Sequence, residues 1–131
     1  MGTKETTDFR KIRLMALMYN LNAKGITEKE VSEVIRQLNS IIKEYPNKGF
    51  KIGKTDDPER RENEHKNEGS SIFKIVFGNP SLEIVDDMER FLIRYFDTKE
   101  DTEENLANQK DGGGGRRSDK NMYYNYVIIK L

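Results

Sequence analysis

The sequence contains no cysteine and only one histidine in its 131 residues. The lack of cysteine excludes disulfides, thiolate metal sites and a cysteine nucleophile, and it fits a reducing compartment. The single histidine, His65, likewise excludes a zinc site built from several histidines.

The chain also lacks a long apolar run. No stretch approaches the roughly 20 apolar residues that a transmembrane helix needs. The N-terminus has no apolar run of the kind found in signal peptides. We therefore expect an intracellular protein, in the cytoplasm or the nucleus, without membrane contact.

An excess of charge of one sign is absent as well. Lys and Arg number 23 and Asp and Glu number 23, so the formal net charge is zero. The protein therefore has no global basic field that would attract nucleic acid. Any such binding must depend on a local patch.

Length and patterning indicate one domain, residues 1–131, of the α+β class. Residues 1–49 are expected to form an N-terminal helical hairpin, and residues 50–131 a core that ends in a C-terminal strand. Periodicity predicts a small, mainly antiparallel sheet of at least three strands flanked by helices.

Two helices are predicted before residue 46. In the first, Asp8 is the expected N-cap, and the apolar stripe comprises Phe9, Ile12, Met15 and Met18, widened by Leu14 and Leu17. The second helix begins with a capping box, Thr27 and Glu30. The pair suits core scaffolding. A helix-turn-helix DNA reader is the weaker alternative, because the second helix offers few basic residues.

Residues 50–65 predict a strand, a turn at Gly53 and a helix. Asp57 can cap that helix, and Pro58 fits its first position. No apolar residue occurs from 56 to 71, so the helix is polar all round. Arg61 and His65 share one of its faces. The segment is either a solvated charged helix or a site helix that presents Arg and His to an anionic ligand.

The rest of the chain predicts a strand at 72–77, a helix from Ser81 to about residue 96, a long polar segment at 97–121 and a final strand at 122–131. The polar segment contains four glycines, 112–115, followed by Arg116 and Arg117. It is either a flexible linker or a loop whose backbone N–H groups approach phosphates.

Glu89 falls inside the apolar arc of the helix at 81–96, whereas Asp86, Asp87, Arg90 and Arg94 fall where solvent can reach them. A carboxylate at the rim of a core is costly unless it is paired, hydrogen-bonded or bound to metal. Glu89 is thus either a structural salt bridge, for example to Arg61, or a metal ligand or catalytic carboxylate.

Together these residues resemble the GIY-YIG nuclease superfamily over residues 50–96, with a looser continuation to the end. Lys-Ile-Gly-Lys-Thr at 51–55 is similar to the strand that holds the second half of the family name. Arg61, eight residues after Gly53, stands where the family keeps its catalytic arginine. His65 matches a histidine often found one turn later, and Glu89 resembles the metal-binding glutamate.

Two features depart from the family pattern. Lys51 replaces the tyrosine of the second motif, as in a viral and eukaryotic branch that reads Lys-Ile-Gly. No first motif precedes Phe50 at the usual distance. We hypothesise that the C-terminal strand takes the place of the family's first strand and supplies Tyr123, Tyr124 or Tyr126 to the site.

The resemblance implies a metal-dependent endonuclease that hydrolyses phosphodiester bonds of nucleic acid, with DNA expected over RNA. Glu89 would hold Mg²⁺ or Mn²⁺, Arg61 would clamp the phosphate, and His65 would act as base or phosphate contact. A tyrosine, Tyr124 or Tyr126, would orient or deprotonate the water, with its pKa lowered by a cation such as Lys51.

Further nucleic-acid contacts are expected from the basic and amide side chains around this site, namely Lys54, Arg60, Asn108, Arg116 and Arg117. Two alternatives remain open at this point. One is a catalytically inactive GIY-YIG-like domain that binds nucleic acid or a protein partner. The other is an interaction domain whose helical hairpin is the contact surface.

Overall fold

The computed structural model describes residues 9–99, 102, 105–108 and 121–131. Within these residues the fold is α+β, as predicted from the sequence. The helices and strands follow one another along the chain in the order α1 (Phe9–Met18), α2 (Glu28–Glu44), β1 (Phe50–Thr55), α3 (Pro58–Lys66), β2 (Ser71–Asn79), α4 (Leu82–Asp97) and β3 (Tyr123–Lys130). None of the described helices combines the length and apolarity needed to cross a membrane.

The sheet is antiparallel and has the strand order β1-β3-β2. The C-terminal strand therefore lies in the centre, with β1 and β2 on its two sides. In the register, Tyr126 of β3 lies opposite both Gly53 of β1 and Ile75 of β2. A bulge in β2 shifts the register between Ile75 and Phe77. The prediction that this apolar terminal strand docks into the sheet is confirmed.

The core lies between one face of the sheet, here called the inner face, and helix α4. Alternate residues of the strands point to this face, since side chains in a strand have a period of two. The fully or almost fully buried residues that meet there are Phe50, Ile52, Val127 and Ile129 from the sheet and Met88, Phe91, Leu92 and Phe96 from α4. Helices α1 and α2 pack against each other and extend this core as a hairpin.

Three predicted helix starts are confirmed by their hydrogen bonds. Thr27 and Glu30 form the reciprocal capping box of α2. Asp57 caps α3 by accepting from the backbone N–H of Arg60, with Pro58 in the first turn. Ser81 caps α4 in the same way. Local sequence therefore determines where these helices begin.

The predicted apolar stripe of α1 is wrong in extent. Only Ile12, Met15 and Ala16 are buried. The other apolar residues of the stripe are more than half exposed, namely Phe9, Leu14, Leu17 and Met18. The helix packs at the periphery of the core, so a narrow side of it is covered. Asp8, the expected N-cap, lies outside the described residues.

Residues 106–108 follow the outer edge of β1. The N–H of Ala107 donates to the carbonyl of Phe50 at 2.7 Å. The Asn108 side chain accepts from the N–H of Ile52 and donates to its carbonyl, both at 2.9 Å. These bonds satisfy part of an otherwise open strand edge. Residues 109–120, with the four glycines, Arg116 and Arg117, lie outside the described part of the chain.

Loss of the α2 capping box should destabilise the whole domain. We expect Thr27→Ala to lower the free energy of unfolding by about 1 kcal/mol, because an orphan N–H of the first turn loses its acceptor. Urea denaturation followed by circular dichroism measures this. Thr27→Ser keeps the hydroxyl and should retain most of the stability. Equal losses in both variants would contradict a role for the cap.

Candidate active site

The site begins with a close approach between two strands on the outer face of the sheet. Gly53 lies opposite Tyr126. A Cβ built on Gly53 would stand 2.5 Å from both Cζ and Oη of Tyr126. No real side chain fits at that distance, so glycine is required for the tyrosine ring to lie across β1. The hydroxyl thereby reaches the edge strand of the sheet.

Helix α3 brings Arg61 to this hydroxyl. The Asp57 cap and Pro58 start the helix directly after β1, which places Arg61 one turn along it. Its Nε–H donates to Oη of Tyr126 at 3.2 Å. Its Nη1 donates to Glu64 at 2.9 Å, and the side chain is 39% exposed. The guanidinium is therefore oriented by the tyrosine while solvent still reaches it.

His65 completes the group on the outer face. Its ring centroid lies 6.0 Å from that of Tyr126 and 6.4 Å from that of Phe73, and the latter two rings stack at 4.8 Å. Burial lowers the pKa of His65, and the positive charges of Arg61 and Lys51 lower it further, against an opposing effect of Glu68. His65 is accordingly a neutral imidazole at neutral pH.

The acid–base state of Tyr126 differs from the sequence expectation. Burial raises the pKa of its hydroxyl, although the hydrogen bond from Arg61 opposes this effect. A lowered tyrosine pKa, produced by a cation such as Lys51, is therefore wrong for Tyr126. The reason is that desolvation of the phenolate outweighs the nearby positive charge. Tyr126 is a neutral phenol at neutral pH.

A second group of charges lies on the inner face. Lys54 points from β1 towards α4, where its Nζ lies 2.9 Å from Asp86 and 3.2 Å from Glu89. The three side chains are 16%, 17% and 9% exposed, respectively. Burial lowers the pKa of Lys54, but bonding to Asp86 and the charge of Glu89 outweigh burial and raise it overall. Lys54 is therefore a partly buried ammonium between two acids.

The two groups lie on opposite sides of the edge strand β1. The negative charge of Glu89 makes only a minor contribution to the raised pKa of Tyr126, after burial. Of the expected catalytic residues, the structure brings Arg61, His65 and Tyr126 together on one face, whereas Glu89 lies on the other. Lys51 is related to this group through the effect of its charge on the pKa of His65. Glu89 is buried as the helical wheel predicts, and it accepts from Lys54.

Other expected site residues lie elsewhere or have another partner. The ring of Tyr124 lies on Gly78 of β2, on the side of β3 away from Arg61. The Asn108 amide is bonded to the β1 backbone. Arg60 donates to Glu64 at 2.9 Å and lies near Asp56 and Asp57. Arg116 and Arg117 lie outside the described residues.

A depression beside α3 does not include the Arg61–Tyr126 group. It has a volume of about 400 Å³ and is lined by Asp57, Glu59, Arg60, Asn63, Glu64 and Asn67. Three carboxylates line it against one arginine. Its charge is therefore unsuited to a phosphate, and the outer face beside Tyr126 is the better candidate.

Sequence reasoning missed Asp86, which was expected to be solvated. Lys54 reaches across from β1 and removes it from water. The available signal was the spacing of three residues between Asp86 and Glu89, which puts two carboxylates on neighbouring positions of one helix. Phe73 was also missed, because its contact with Tyr126 depends on strand order.

No protein-family model, curated protein or solved structure matches this chain. The resemblance to GIY-YIG nucleases therefore depends on the residues quoted above.

A methyl group at Gly53 should displace Tyr126. We expect Gly53→Ala to destabilise the fold by about 1–3 kcal/mol, the range for overpacking, because the ring must move. Urea denaturation measures the change. Gly49→Ala is the matched control, since a Cβ there would meet only Asn105 O, at 3.8 Å. Equal stability of the Gly53 and Gly49 variants would contradict the close approach.

Because His65 is the single histidine of the chain, its pKa can be measured directly as a test of its surroundings. We expect the NMR titration midpoint of His65 to lie below the ordinary value of 6.5, because burial disfavours the imidazolium. The unfolded chain binds that proton more readily, so lowering the pH through this range also destabilises the fold. The urea-unfolded chain is the control and should titrate normally. A midpoint at or above the ordinary value in the folded protein would contradict the description.

Proposed function

We propose that this protein is a metal-dependent endonuclease that hydrolyses phosphodiester bonds of nucleic acid, with DNA as the expected substrate. The observation that carries the proposal is the hydrogen bond from Arg61 to Tyr126 beside a partly buried, neutral His65. Glu89 lies across one edge strand from this group. An oriented cation, a phenol, an imidazole and a carboxylate are the parts that phosphodiester hydrolysis needs.

Arg61 is suited to hold the scissile phosphate. Tyr126 fixes the Nε side of the guanidinium, and the solvent-accessible side is paired with Glu64. Glu64 is itself substantially exposed. A phosphate can exchange with such a carboxylate, because a planar guanidinium binds phosphate oxygens through two parallel hydrogen bonds. Arg61 would then stabilise the charge that develops during attack.

Tyr126 and His65 are suited to position and deprotonate the attacking water. Tyr126 accepts from Arg61, so its own O–H is oriented and can donate to a water or to a phosphate oxygen. The raised pKa keeps that proton in place at neutral pH. His65 is neutral, and its Nε2 makes no hydrogen bond within the described residues. This nitrogen is covered by its surroundings, so the ring would have to turn for it to meet the attacking water. A neutral imidazole nitrogen is a suitable general base.

We assign Mg²⁺ or Mn²⁺ to the carboxylate of Glu89 on the inner face. Glu89 supplies a carboxylate, a hard oxygen donor of the type that these ions prefer. No group of three or more acidic, histidine or cysteine side chains that could hold a metal occurs in the described ranges, so substrate phosphate and water must complete the coordination. When bound, the ion would stabilise negative charge on the phosphate and on the leaving oxygen.

One observation favours an alternative, a nuclease-like domain that binds nucleic acid without cutting it. Arg61 is already paired with Glu64, and Glu89 is already paired with Lys54. A domain whose catalytic charges are permanently neutralised would retain only phosphate contacts from its other basic side chains. Affinity that falls steeply with salt, in the absence of cleavage, would identify this function.

Cleavage of supercoiled plasmid and of single-stranded DNA and RNA oligonucleotides with Mg²⁺ or Mn²⁺ tests the proposal. We expect Arg61→Ala and Glu89→Gln each to reduce the rate about 100-fold or more, the effect of removing one group that stabilises transition-state charge. Arg36→Ala and Glu83→Gln are matched controls and should cut normally. Arg36 pairs with Glu33 on α2, much as Arg61 pairs with Glu64 on α3.

Each outcome separates the two functions. Cleavage lost in Arg61→Ala and Glu89→Gln but kept in the controls supports the endonuclease. If the folded protein cuts no substrate with any of the metals but binds nucleic acid in a salt-dependent way, the alternative function, binding without cleavage, is supported. Cleavage that survives both substitutions would show that the assigned residues do not carry the activity.

A further inference from the structure

The strands of the sheet contribute positive charge and no negative charge. Of the residues in β1, β2 and β3, four are lysines and none is an aspartate or a glutamate. The whole chain has equal numbers of basic and acidic residues, so the acids are concentrated in the helices and the connecting segments. A surface formed by these strands therefore suits a negatively charged partner.

Three aromatic side chains lie on the outer face of the sheet, where the Arg61–Tyr126 group also lies. Alternation along the strands places Phe73 of β2 and Tyr124 and Tyr126 of β3 on this face. Helix α3 covers Tyr126, which is buried, through Arg61 and His65. Phe73 and Tyr124 are only partly buried, so part of each ring is open to solvent.

An exposed isoleucine lies between these two rings in the register. Ile75 follows Phe73 on the same face of β2, lies opposite Tyr126 and is 40% exposed. Tyr124 comes next along the face, where its ring packs on Gly78. Phe73, Ile75 and Tyr124 together are called the outer apolar patch. A single exposed apolar side chain is ordinary, but a row of three with two aromatic rings indicates a binding surface.

Positive charge predominates beside this patch. Lys51 of β1 and Lys130 of β3 are exposed residues of the outer face. Burial lowers the pKa of His65 most, and the charges of Arg61, Lys51 and Lys130 lower it further, so the three cations act on one region. Glu68 opposes them but is 62% exposed, where water screens its charge. The region therefore attracts an anion.

Tyr126 connects the cations to the patch. Its hydroxyl accepts from Arg61, and its ring stacks on Phe73 with a centroid separation of 4.8 Å and an interplanar angle of 26°. A phosphate held by Arg61 and a ring stacked on Phe73 would thus be separated by about one tyrosine side chain. Neighbouring nucleotides of a single strand present a phosphate and a free base face in this way, whereas bases in a duplex are already stacked and paired.

We infer that the outer apolar patch stacks unpaired bases of a single-stranded nucleic acid, with Phe73 and Tyr124 as the stacking rings and Lys51, Lys130 and Arg61 as phosphate contacts. Aromatic rings beside basic side chains hold single strands without sequence preference, because every base has a π face. The inference rests on the proposed function for the presence of nucleic acid. It adds the strandedness of the substrate and a surface outside the catalytic group.

Binding of the full chain to short labelled oligonucleotides in EDTA, measured by fluorescence anisotropy, tests the inference without cleavage. The probes are oligothymidylate, oligouridylate, a DNA duplex and an abasic strand with as many phosphates as the oligothymidylate. We expect oligothymidylate to bind about tenfold or more tightly than the abasic strand, the effect of one or two stacked bases. The first two probes distinguish DNA from RNA, which share this stacking chemistry.

Substitutions of the rings locate the bases. Phe73→Leu and Tyr124→Leu keep an apolar side chain, and each should weaken oligothymidylate binding about fivefold or more, since one stacked base is lost. Neither should change the affinity for the duplex or the abasic strand. Phe73→Tyr retains a ring and should bind as the wild type does, so a folding defect cannot produce the whole pattern.

Phe9→Leu is the matched control. Phe9 is 54% exposed on α1, which packs against α4 on the other side of the sheet. The same chemical change there should leave the affinity for every probe unchanged.

Salt dependence separates the rings from the charges. Lys51→Met removes one phosphate contact, so the slope of log affinity against log salt for oligothymidylate should become less steep by roughly 0.7. Phe73→Leu and Tyr124→Leu should lower the affinity and leave this slope unchanged, because they remove no charge.

The outcomes separate this inference from the nuclease proposal. Selective loss of single-strand affinity in the ring variants, in a protein that cuts no substrate, supports the stacking surface and removes the endonuclease. An effect of only one ring variant also supports the surface and places the base on that ring. Cleavage that needs Arg61 and Glu89, with unchanged oligothymidylate affinity in both ring variants, overturns the stacking surface and keeps the endonuclease.

Two further results would overturn the stacking surface. One is equal affinity of the wild type for oligothymidylate and for the abasic strand, because phosphate contacts alone would then account for binding. The other is the absence of binding to any probe, which would leave the outer apolar patch to a protein partner.

Discussion

The contact of Tyr126 with Gly53 is the constraint on which the candidate site depends. The ring occupies the space where any other residue of β1 would carry a Cβ, and this brings its hydroxyl to the edge of the sheet. Arg61 then donates to that hydroxyl, and His65 packs against the same ring. Without the glycine the tyrosine would point elsewhere, and the polar helix α3 would lose its hydrogen bond to the outer face. A helix with no buried residue gains its position from such specific bonds rather than from apolar burial.

Because β3 lies in the centre of the sheet, both other strands depend on it for their pairing. In the described sheet β1 and β2 pair with β3 and not with each other. Neither of those strands can find its partner until residues 123–130 are present, so the sheet forms through contacts that are distant in sequence. In such topologies the entropy lost on closing long loops precedes the free energy gained from the contacts. They therefore fold slowly relative to helical domains. The local helix signals at Thr27, Asp57 and Ser81 are complete before that step. We therefore expect helices to form early and the site, which needs Tyr126, to form last.

Much of the fold was predictable because its signals are local. Caps, turns and alternating strands gave the element order, and helical spacing placed Glu89 among apolar residues. The site was predictable only in part. Arg61 and His65 share one face of a polar helix, and their distance from Gly53 is part of the resemblance to GIY-YIG nucleases. The choice between Tyr124 and Tyr126, in contrast, depends on strand register. The two tyrosines are two residues apart, yet one ring lies on Gly53 and the other on Gly78. The pairing of Asp86 with Lys54 and the bonds from Asn108 to β1 could not be predicted from local sequence either. Each of them depends on a partner more than 30 residues away in sequence. The exposed side of α1 was missed for the same reason, because periodicity reports an apolar face without showing how much of it is covered.

The two charged groups of the candidate site differ in how readily they can exchange partners. Glu64 holds Arg61 from the solvent side, where water screens the attraction and the pair is weak. A phosphate that binds through two hydrogen bonds can replace it. Lys54 holds Glu89 in a layer where all three charged side chains are largely buried, so the attraction is screened much less. Removing the ammonium without a replacement would leave two buried carboxylates close together, which is strongly unfavourable. The outer pair can therefore exchange partners more readily than the inner group, which is stable only while a cation lies between the two acids.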